Sequence, residues 1–172
     1  MDPAVHIVCP HCDTINRVPG ERMAAMGPGG GRCGECRKAL FDGHPAALDT
    51  ARFERHLAKS GVPLLIDFWA SWCGPCRIEH AALERLAARQ GVTLYGIDYK
   101  DKPENARAFL DELGNPFGKI DQDQEGRVSI DWGVTGVPET FVIDGKGVIR
   151  VHYAHPLDDE IINRLILPAL KP

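Results

Sequence analysis

All six cysteines of the chain fall in Cys-x-x-Cys pairs: Cys9/Cys12, Cys33/Cys36 and Cys73/Cys76. No other feature limits the fold as strongly, because two sulfurs at this spacing suit a metal knuckle or a redox dithiol. The surroundings separate the pairs. The first two lie in residues 1–42, a stretch rich in Cys, Gly and Pro that holds the run "GPGGGR" and no useful helical periodicity. A segment this small buries too little apolar surface to fold alone, so it needs a metal or a docking partner. The third pair comes after the apolar run "VPLLIDFWA" and leads into a series of helix formers.

Twenty residues lie between Cys12 and Cys33, a spacing that suits a four-thiolate zinc site. Cys9, Cys12, Cys33 and Cys36 are therefore expected to hold one structural zinc ion; no organic cofactor is implied. The competing reading is two disulfides or free thiols. His11, between two ligands, is a substitute ligand or simply an exposed side chain. Glycines at 34 and 29–31 let the backbone turn tightly. "FDGHPAAL" (41–48) reads as a linker, which gives a zinc-ribbon segment at 1–42 and a second domain at 43–172.

In that second domain apolar patterns of two periods alternate. Asp49 or Thr50 can cap a helix carrying Phe53 and Leu57 and stopping near Gly61. "VPLLIDFW" has the look of a central buried strand begun by Pro63. A helix is expected from Gly74 to Gln90, with Ile78, Ala82, Leu83 and Leu86 on one face and Gly91 as its stop. "VTLYGIDY" is the next strand. "KPENARAFLDELG" is a helix with Pro103 in its first turn. "PFGKID" reads as a short strand and "GRVSIDWG" as a short helix. "ETFVID" and "VIRVHY" form a hairpin about a Gly-containing turn, and "LDDEIINRLILPAL" closes the chain as an amphipathic helix. Strands alternating with helices imply an α/β layer fold with a mixed sheet.

The location of Cys73-Gly-Pro-Cys76 defines its chemistry. Between a buried strand and a helix, the first sulfur meets free N–H groups and the helix dipole, which favour a thiolate. Cys76 lies one turn inside, within reach of a mixed disulfide on Cys73. The alternative is a third structural pair. Asp67 stands in the middle of the apolar strand, six residues before Cys73. Buried without a charge partner, it would have a raised pKa and exchange a proton with Cys76. The bland alternative is a solvated strand-end carboxylate.

Composition excludes several other classes. Twenty basic against twenty-four acidic residues leave a net charge of −4, which gives no basis for nucleic-acid binding. The amino terminus has no basic region leading into an apolar one, and the longest apolar stretch is too short to span a bilayer and carries Asp67. The expectation is a cytoplasmic, membrane-free monomer. In a reducing compartment paired cysteines serve as metal ligands or redox catalysts.

Two resemblances divide the chain. "LLIDFWASWCGPCR" (64–77) resembles thioredoxin, and with the four-cysteine segment before it residues 1–77 look like the zinc-containing second thioredoxin of bacteria. That likeness implies a thioredoxin fold, attack by Cys73 and resolution by Cys76. It places the family's buried acid on Asp67, its exposed indole on Trp72 and its cis-proline on Pro138. After Arg77, "CRIEHAALERL", "LYGIDYKDKPENARAFLDELGNPF" and "DWGVTGVPETFVIDGKGVIRVHYAHPL" resemble the tethered thioredoxin-like proteins of cytochrome c maturation, the CcmG/DsbE type. Sixty-one residues between Cys76 and Pro138 leave room for the extra strand–helix insert of that group. The chain reads as a mosaic of the two.

It departs from both. The maturation proteins usually have another residue at Gly74, an Asn near Asp67, and a membrane anchor. His155 stands where both relatives commonly have glycine. Trp72, Gly74, Pro75, Val137 and His155 are the expected substrate-groove residues.

The leading function is a protein-disulfide reductase acting on disulfide-containing proteins, with thioredoxin reductase as a candidate electron donor. The runner-up is a dedicated reductant of apocytochrome c or of a partner oxidoreductase. A third reading, from another class, is a zinc-ribbon binding module on a thioredoxin scaffold.

Overall fold

The computed structural model describes residues 4–19, 22, 31–40, 50–59, 61, 63–89, 92 and 94–170. The expected linker at 41–48, most of the "GPGGGR" run, the Asp49 cap, the Gly91 stop and the side chains of Phe53 and Leu57 lie outside the described residues.

The cysteine-rich segment contains a hairpin that the sequence reading did not anticipate. Strand β1 (Val5–Val8) pairs antiparallel with β2 (Ile15–Val18), and the first Cys-x-x-Cys forms the turn between them. Ile7, Cys9, Val18, Cys33 and Leu40 make a small separate core. So few apolar side chains cannot stabilise a fold by burial alone.

The larger unit shows the expected alternation. Helix α1 (Thr50–Lys59) precedes β3 (Leu64–Trp69), the fully buried strand. Helix α2 (Gly74–Ala87), strand β4 (Leu94–Tyr99), helix α3 (Pro103–Leu113) and strand β5 (Lys119–Asp123) come next. A short helix α4 (Arg127–Asp131) leads to the hairpin of β6 (Glu139–Ile143) and β7 (Ile149–Tyr153). The chain closes with α5 (Asp159–Ile161), a π-helical turn (Ile162–Ile166) and α6 (Leu167–Ala169). Asp158 caps this last segment by accepting the Ile161 N–H.

The five strands lie in the order β5-β4-β3-β6-β7. β3, β4 and β5 run parallel, joined through α2 and α3, while β6 and β7 run antiparallel. This is the mixed sheet of a thioredoxin fold, and the room expected for an extra strand–helix insert holds α3, β5 and α4 between β4 and the hairpin. β3 is central, so both of its faces are covered. Its period of two puts Leu65, Asp67 and Trp69 on one face and Leu64, Ile66 and Phe68 on the other. The first face meets Leu83 and Leu86 of α2, Phe109 of α3, and Ile162 and Ile166 of the closing segment. The second meets Ile97, Phe141 and Ile143, with Val128 and Trp132 packed against them. On the first face Gly96 of β4 is required: a Cβ would come within 2.8 Å of the Phe117 ring and of the Trp69 indole nitrogen.

One expected core residue is wrong. Ile78 is 78% exposed, whereas the buried stripe of α2 is Cys76, Glu79, His80, Ala82, Leu83 and Leu86. With Cys76 fixed inward, a residue two positions on is turned through about 200° and faces water. The helix also ends at Ala87 rather than Gln90.

Candidate functional site

The four sulfurs of Cys9, Cys12, Cys33 and Cys36 lie within 4.8 Å of one another. Each knuckle folds the same way. The residue after the second cysteine, Asp13 or Arg37, adopts positive φ (59° and 64°) and donates its N–H to the carbonyl of the first cysteine. The Cys9–Cys36 and Cys12–Cys33 sulfur separations are both 3.6 Å. Four sulfurs about 2.3 Å from a tetrahedral zinc would be about 3.8 Å apart, so this donor set fits the metal. The Asn16 amide points at the Cys33 sulfur at 3.5 Å and the His11 N–H at the Cys9 sulfur at 3.4 Å, contacts that favour thiolates. His11 is half-buried rather than exposed, and its ring is not among the clustered donors.

The ribbon is tied to the other unit at the end of β3 remote from Cys73. Gly61, just before β3, donates its N–H to the His6 carbonyl. Arg52 of α1 forks onto the Asp13 carboxylate at 2.8 and 3.0 Å and also reaches the Pro10 carbonyl. His56, buried beside Asp13 and Lys119, is pushed down to about 4, first by burial and then by the lysine charge.

At the opposite end of β3 lies the third pair. Cys73 is the N-cap of α2; its sulfur accepts the Cys76 N–H at 3.1 Å, and Pro75 occupies the first turn. Cys73 and Cys76 are joined in a disulfide. Both are buried, with the Cys73 sulfur 3.4 Å from the Val137 carbonyl oxygen, and the Val137–Pro138 peptide is cis. Trp72 is 58% exposed, and its indole N–H donates to the Lys100 carbonyl. A Cβ on Gly74 would touch nothing within 4 Å, so that position has room for a side chain. His155 is exposed, its ring 5.7 Å from that of Tyr153.

Two carboxyls are buried in the layer between β3 and α2 that also holds Cys76. Asp67 faces Thr140 across the β3–β6 register and accepts its hydroxyl at 2.9 Å. Its second oxygen has no partner among the described residues. Burial pushes it up to about 7, against the Thr140 hydrogen bond. Glu79, one turn beyond Cys76 on the same stripe, accepts the Leu157 N–H at 2.8 Å and leaves its other oxygen without a hydrogen bond among the described residues. It is pushed up to about 9, by burial first and by the Asp67 charge second. Two desolvated acids that repel each other share protons readily and ionise together reluctantly. Sequence reasoning missed Glu79, because a glutamate in a helix usually faces water. Its spacing of three from Cys76 was the available signal.

Two further acids shape the loops. Asp101 accepts the Ser71 N–H at 2.7 Å. Burial tends to raise its pKa, but the hydrogen bonds from Ser71, Lys102 and Asn105 hold it low. Glu139, 1% exposed, accepts the Thr135 and Gly136 N–H groups and the Thr135 hydroxyl on one oxygen, while His152 engages the other. It thereby fixes the turn that carries Val137 and Pro138.

Comparison with known proteins gives the same division. Residues 44–165 match the redoxin family, and residues 8–38 match the family described as thioredoxin 2, N-terminal, a zinc ribbon. Over 115 residues, 67% of the chain, identity is 50% with the thiol:disulfide interchange protein DsbE homolog of Paracoccus denitrificans. Over 112 residues, 65% of the chain, it is 44% with the thiol:disulfide interchange protein HelX of Rhodobacter capsulatus. Each match spans 63% of the relative's own length. The crystal structure of a thiol:disulfide interchange protein DsbE from Chlorobium tepidum superposes with a TM-score of 0.58 and 31% identity, covering 64% of this chain and 82% of that one.

Proposed function

Since the chain belongs to the redoxin family, whose match covers residues 44–165, we propose that it is a thiol–disulfide oxidoreductase that reduces protein disulfides through Cys73 and Cys76. The observation that carries this reading is a Cys-x-x-Cys pair at a helix N-terminus, with two buried carboxyls of raised pKa in the layer that holds Cys76.

The chemistry balances with these groups. In the reduced protein the Cys73 sulfur receives the Cys76 N–H and the helix dipole, which stabilise its thiolate. That thiolate attacks a substrate disulfide, forming a mixed disulfide and expelling one substrate thiolate. Cys76 must then lose its proton to attack the Cys73 sulfur. The Asp67–Glu79 pair is the acceptor that lies on its side of the helix. The second attack frees the substrate dithiol and leaves the Cys73–Cys76 disulfide, the state in this structure. Two electrons have moved to the substrate, and a dithiol donor must restore them.

Trp72, Pro75, Val137 and Pro138 form the approach to Cys73. Cys9, Cys12, Cys33 and Cys36 would hold one zinc ion, which would join the two knuckles and take no part in the exchange. The protein acts as a monomer in the cytoplasm, where reduced thiolates remain available to the metal; subcellular fractionation tests that placement. The similarity to DsbE and HelX proteins supports the second reading, a reductant dedicated to apocytochrome c or a partner oxidoreductase.

Measurement of the Cys73/Cys76 reduction potential, with insulin reduction under dithiothreitol, tests the proposal. Insulin reduction that requires both cysteines is expected. A dithiol that leaves insulin untouched but reduces an apocytochrome c CxxCH peptide would favour the dedicated reading. Inactivity on both would overturn the oxidoreductase assignment. With NADPH and thioredoxin reductase, turnover is expected to be lower than for a plain thioredoxin and partly regained in His155→Gly. Full coupling in the unaltered protein would show that position 155 does not govern docking.

A further inference from the structure

The ribbon turns one edge of its hairpin to the thioredoxin-like unit and the other away from it. In an antiparallel pair, opposed residues alternately exchange hydrogen bonds with each other and point their backbone groups outward. The Cys9 N–H bonded to the Thr14 carbonyl sets the phase. Continuing along the register, Ile7↔Asn16 and Val5↔Val18 are the bonded pairs, whereas Val8↔Ile15 and His6↔Arg17 face outward. The outward His6 carbonyl is the one that accepts Gly61 N–H. On the opposite edge the outward groups are the N–H and C=O of Ile15 and Arg17. Among the described residues β2 has no second strand beside it.

That free edge is one wall of an open groove of about 460 Å3, whose other wall is the second knuckle, with Gly31, Arg32, Gly34 and Glu35. The size falls in the usual range for ligand sites, roughly 300–1,000 Å3. Val18 and Leu40 supply apolar lining, and Ile15 is 41% exposed along the edge. Arg17, Arg22 and Arg32 also line it, all exposed. Arg32 donates to the Arg37 carbonyl, and no carboxylate pairs with any of the three among the described residues. Glu35 is the single acidic side chain lining the groove among those residues. Three arginines around an open strand edge, in a chain of net charge −4, are a local reversal of sign.

We infer that this groove is a docking site for an extended acidic peptide segment of a partner protein, which adds a strand along β2 and presents carboxylates to Arg17, Arg22 and Arg32. Main-chain bonds to Ile15 and Arg17 supply affinity in such strand addition, and the arginine forks select carboxylates. The site lies at the pole remote from Cys73. The ribbon would therefore hold a partner while leaving Trp72 and the dithiol open to it or to another substrate. This goes beyond the redox activity and stands whether or not that activity is the one proposed.

The test uses the full zinc-loaded chain and a fluorescein-labelled hexapeptide of alternating glutamate and valine. Binding by anisotropy is expected to weaken at least tenfold in Arg17→Glu/Arg22→Glu. It should fall with added salt and be unchanged in Cys73→Ser. Hydrogen exchange at the Ile15 and Arg17 amides should slow at least tenfold when the peptide binds. Arg17→Lys, which keeps the charge, should lose much less affinity. Absence of binding would overturn the inference and leave Arg17 as a charge that keeps the strand edge from pairing. Equal binding of a lysine–valine peptide would overturn it, as would stronger binding of single-stranded DNA. So would amide changes confined to Trp72 and Val137.

Discussion

The ribbon knuckles and the redox turn begin from the same spacing and end as different chemistry. After Cys36 the chain places Arg37 at φ 64° and turns back; after Cys76 it places Arg77 in a helix, its N–H bonded to the Cys73 carbonyl at 3.2 Å. The residue type is the same, so identity at that position does not decide the outcome. The next residues decide it. "KAL" leads to a single bridge between Arg32 and Ala39, while "IEHAALERLA" continues as helix and lays a buried stripe against β3. Four sulfurs converge in one case. In the other, two sulfurs are joined at a helix N-terminus, with Cys76 on the buried stripe that also carries Glu79. A Cys-x-x-Cys therefore acquires its function from the surface its downstream chain can bury.

The largest expected effects break that comparison at the sulfurs. Cys73→Ser is expected to abolish disulfide reduction, a loss of at least about a thousandfold because the nucleophile is gone. Its zinc content should stay at one per chain. Cys9→Ser/Cys36→Ser should reverse the pattern, with zinc lost and insulin reduction kept within about threefold, provided the larger unit holds its fold. Metal analysis and turnover on both variants check this. Full zinc retention in the double variant would show that the four-sulfur assignment is wrong.

A second experiment concerns the two buried acids, which have no counterpart in the ribbon. Asp67→Asn is expected to slow turnover roughly 10–100-fold, a range typical of a lost general base; Glu79→Gln, at a group that keeps its proton up to about pH 9, should act in the same direction by a smaller factor. Both acids have folded-state values above the usual carboxylate range near 4, so the folded protein keeps protons that the unfolded chain has released. Their effect is to make stability fall as pH rises from about 4, through about 7 for Asp67 and on to about 9 for Glu79, and then level off. His56 opposes this below pH 7, and Asp98, raised to about 7 by burial and the Asp101 charge, adds to it. Above pH 7 Glu79 contributes a decline of up to about 1.4 kcal/mol per pH unit between pH 7 and 9, set against the rise that thiolate zinc ligands give by taking up protons on unfolding. The difference in denaturant-unfolding slope between the oxidised, zinc-loaded protein and Glu79→Gln should isolate it. An unchanged slope in that variant would remove Glu79 from the account.

How much of the molecule the sequence could show depends on whether each signal was local. The zinc spacing, the strand–turn–helix setting of Cys73 and the alternation of strands with helices depend on neighbours in the chain, and all were readable. Asp67 stood out because an acid is rare in an apolar strand. Glu79 did not, since its burial depends on α2 turning that side toward β3 and on Leu157, seventy-eight residues away, to donate to it. Glu139 and Asp101 were missed for the same reason: their hydrogen bonds close turns whose positions come from the tertiary fold. Ile78 misled in the opposite direction, because an apolar residue in a helix suggests a core face until the phase is fixed by Cys76. The β1–β2 hairpin escaped notice because strands of four residues leave little periodic signal.

The smallest expected effect tests how firmly the two regions are joined. Asp13 belongs to the first knuckle, and its positive φ already commits the backbone there to a left-handed turn. Arg52 grips both of its oxygens, and Arg55 donates to its carbonyl. The Arg52 and Asp13 side chains keep 28% and 26% of their exposure, so the pair is partly screened and worth about 1 kcal/mol. Arg52→Ala should therefore lower global stability by about that amount and leave zinc binding and insulin reduction within about twofold. Its specific signature is local. Hydrogen exchange should quicken in β1 and at Gly61, where the ribbon meets the other unit, and not at Cys73 or Cys76, beyond the far end of β3. If exchange at the redox turn quickened equally, the ribbon would be part of the support of the dithiol. The two Cys-x-x-Cys environments would then have to be treated as one cooperative unit.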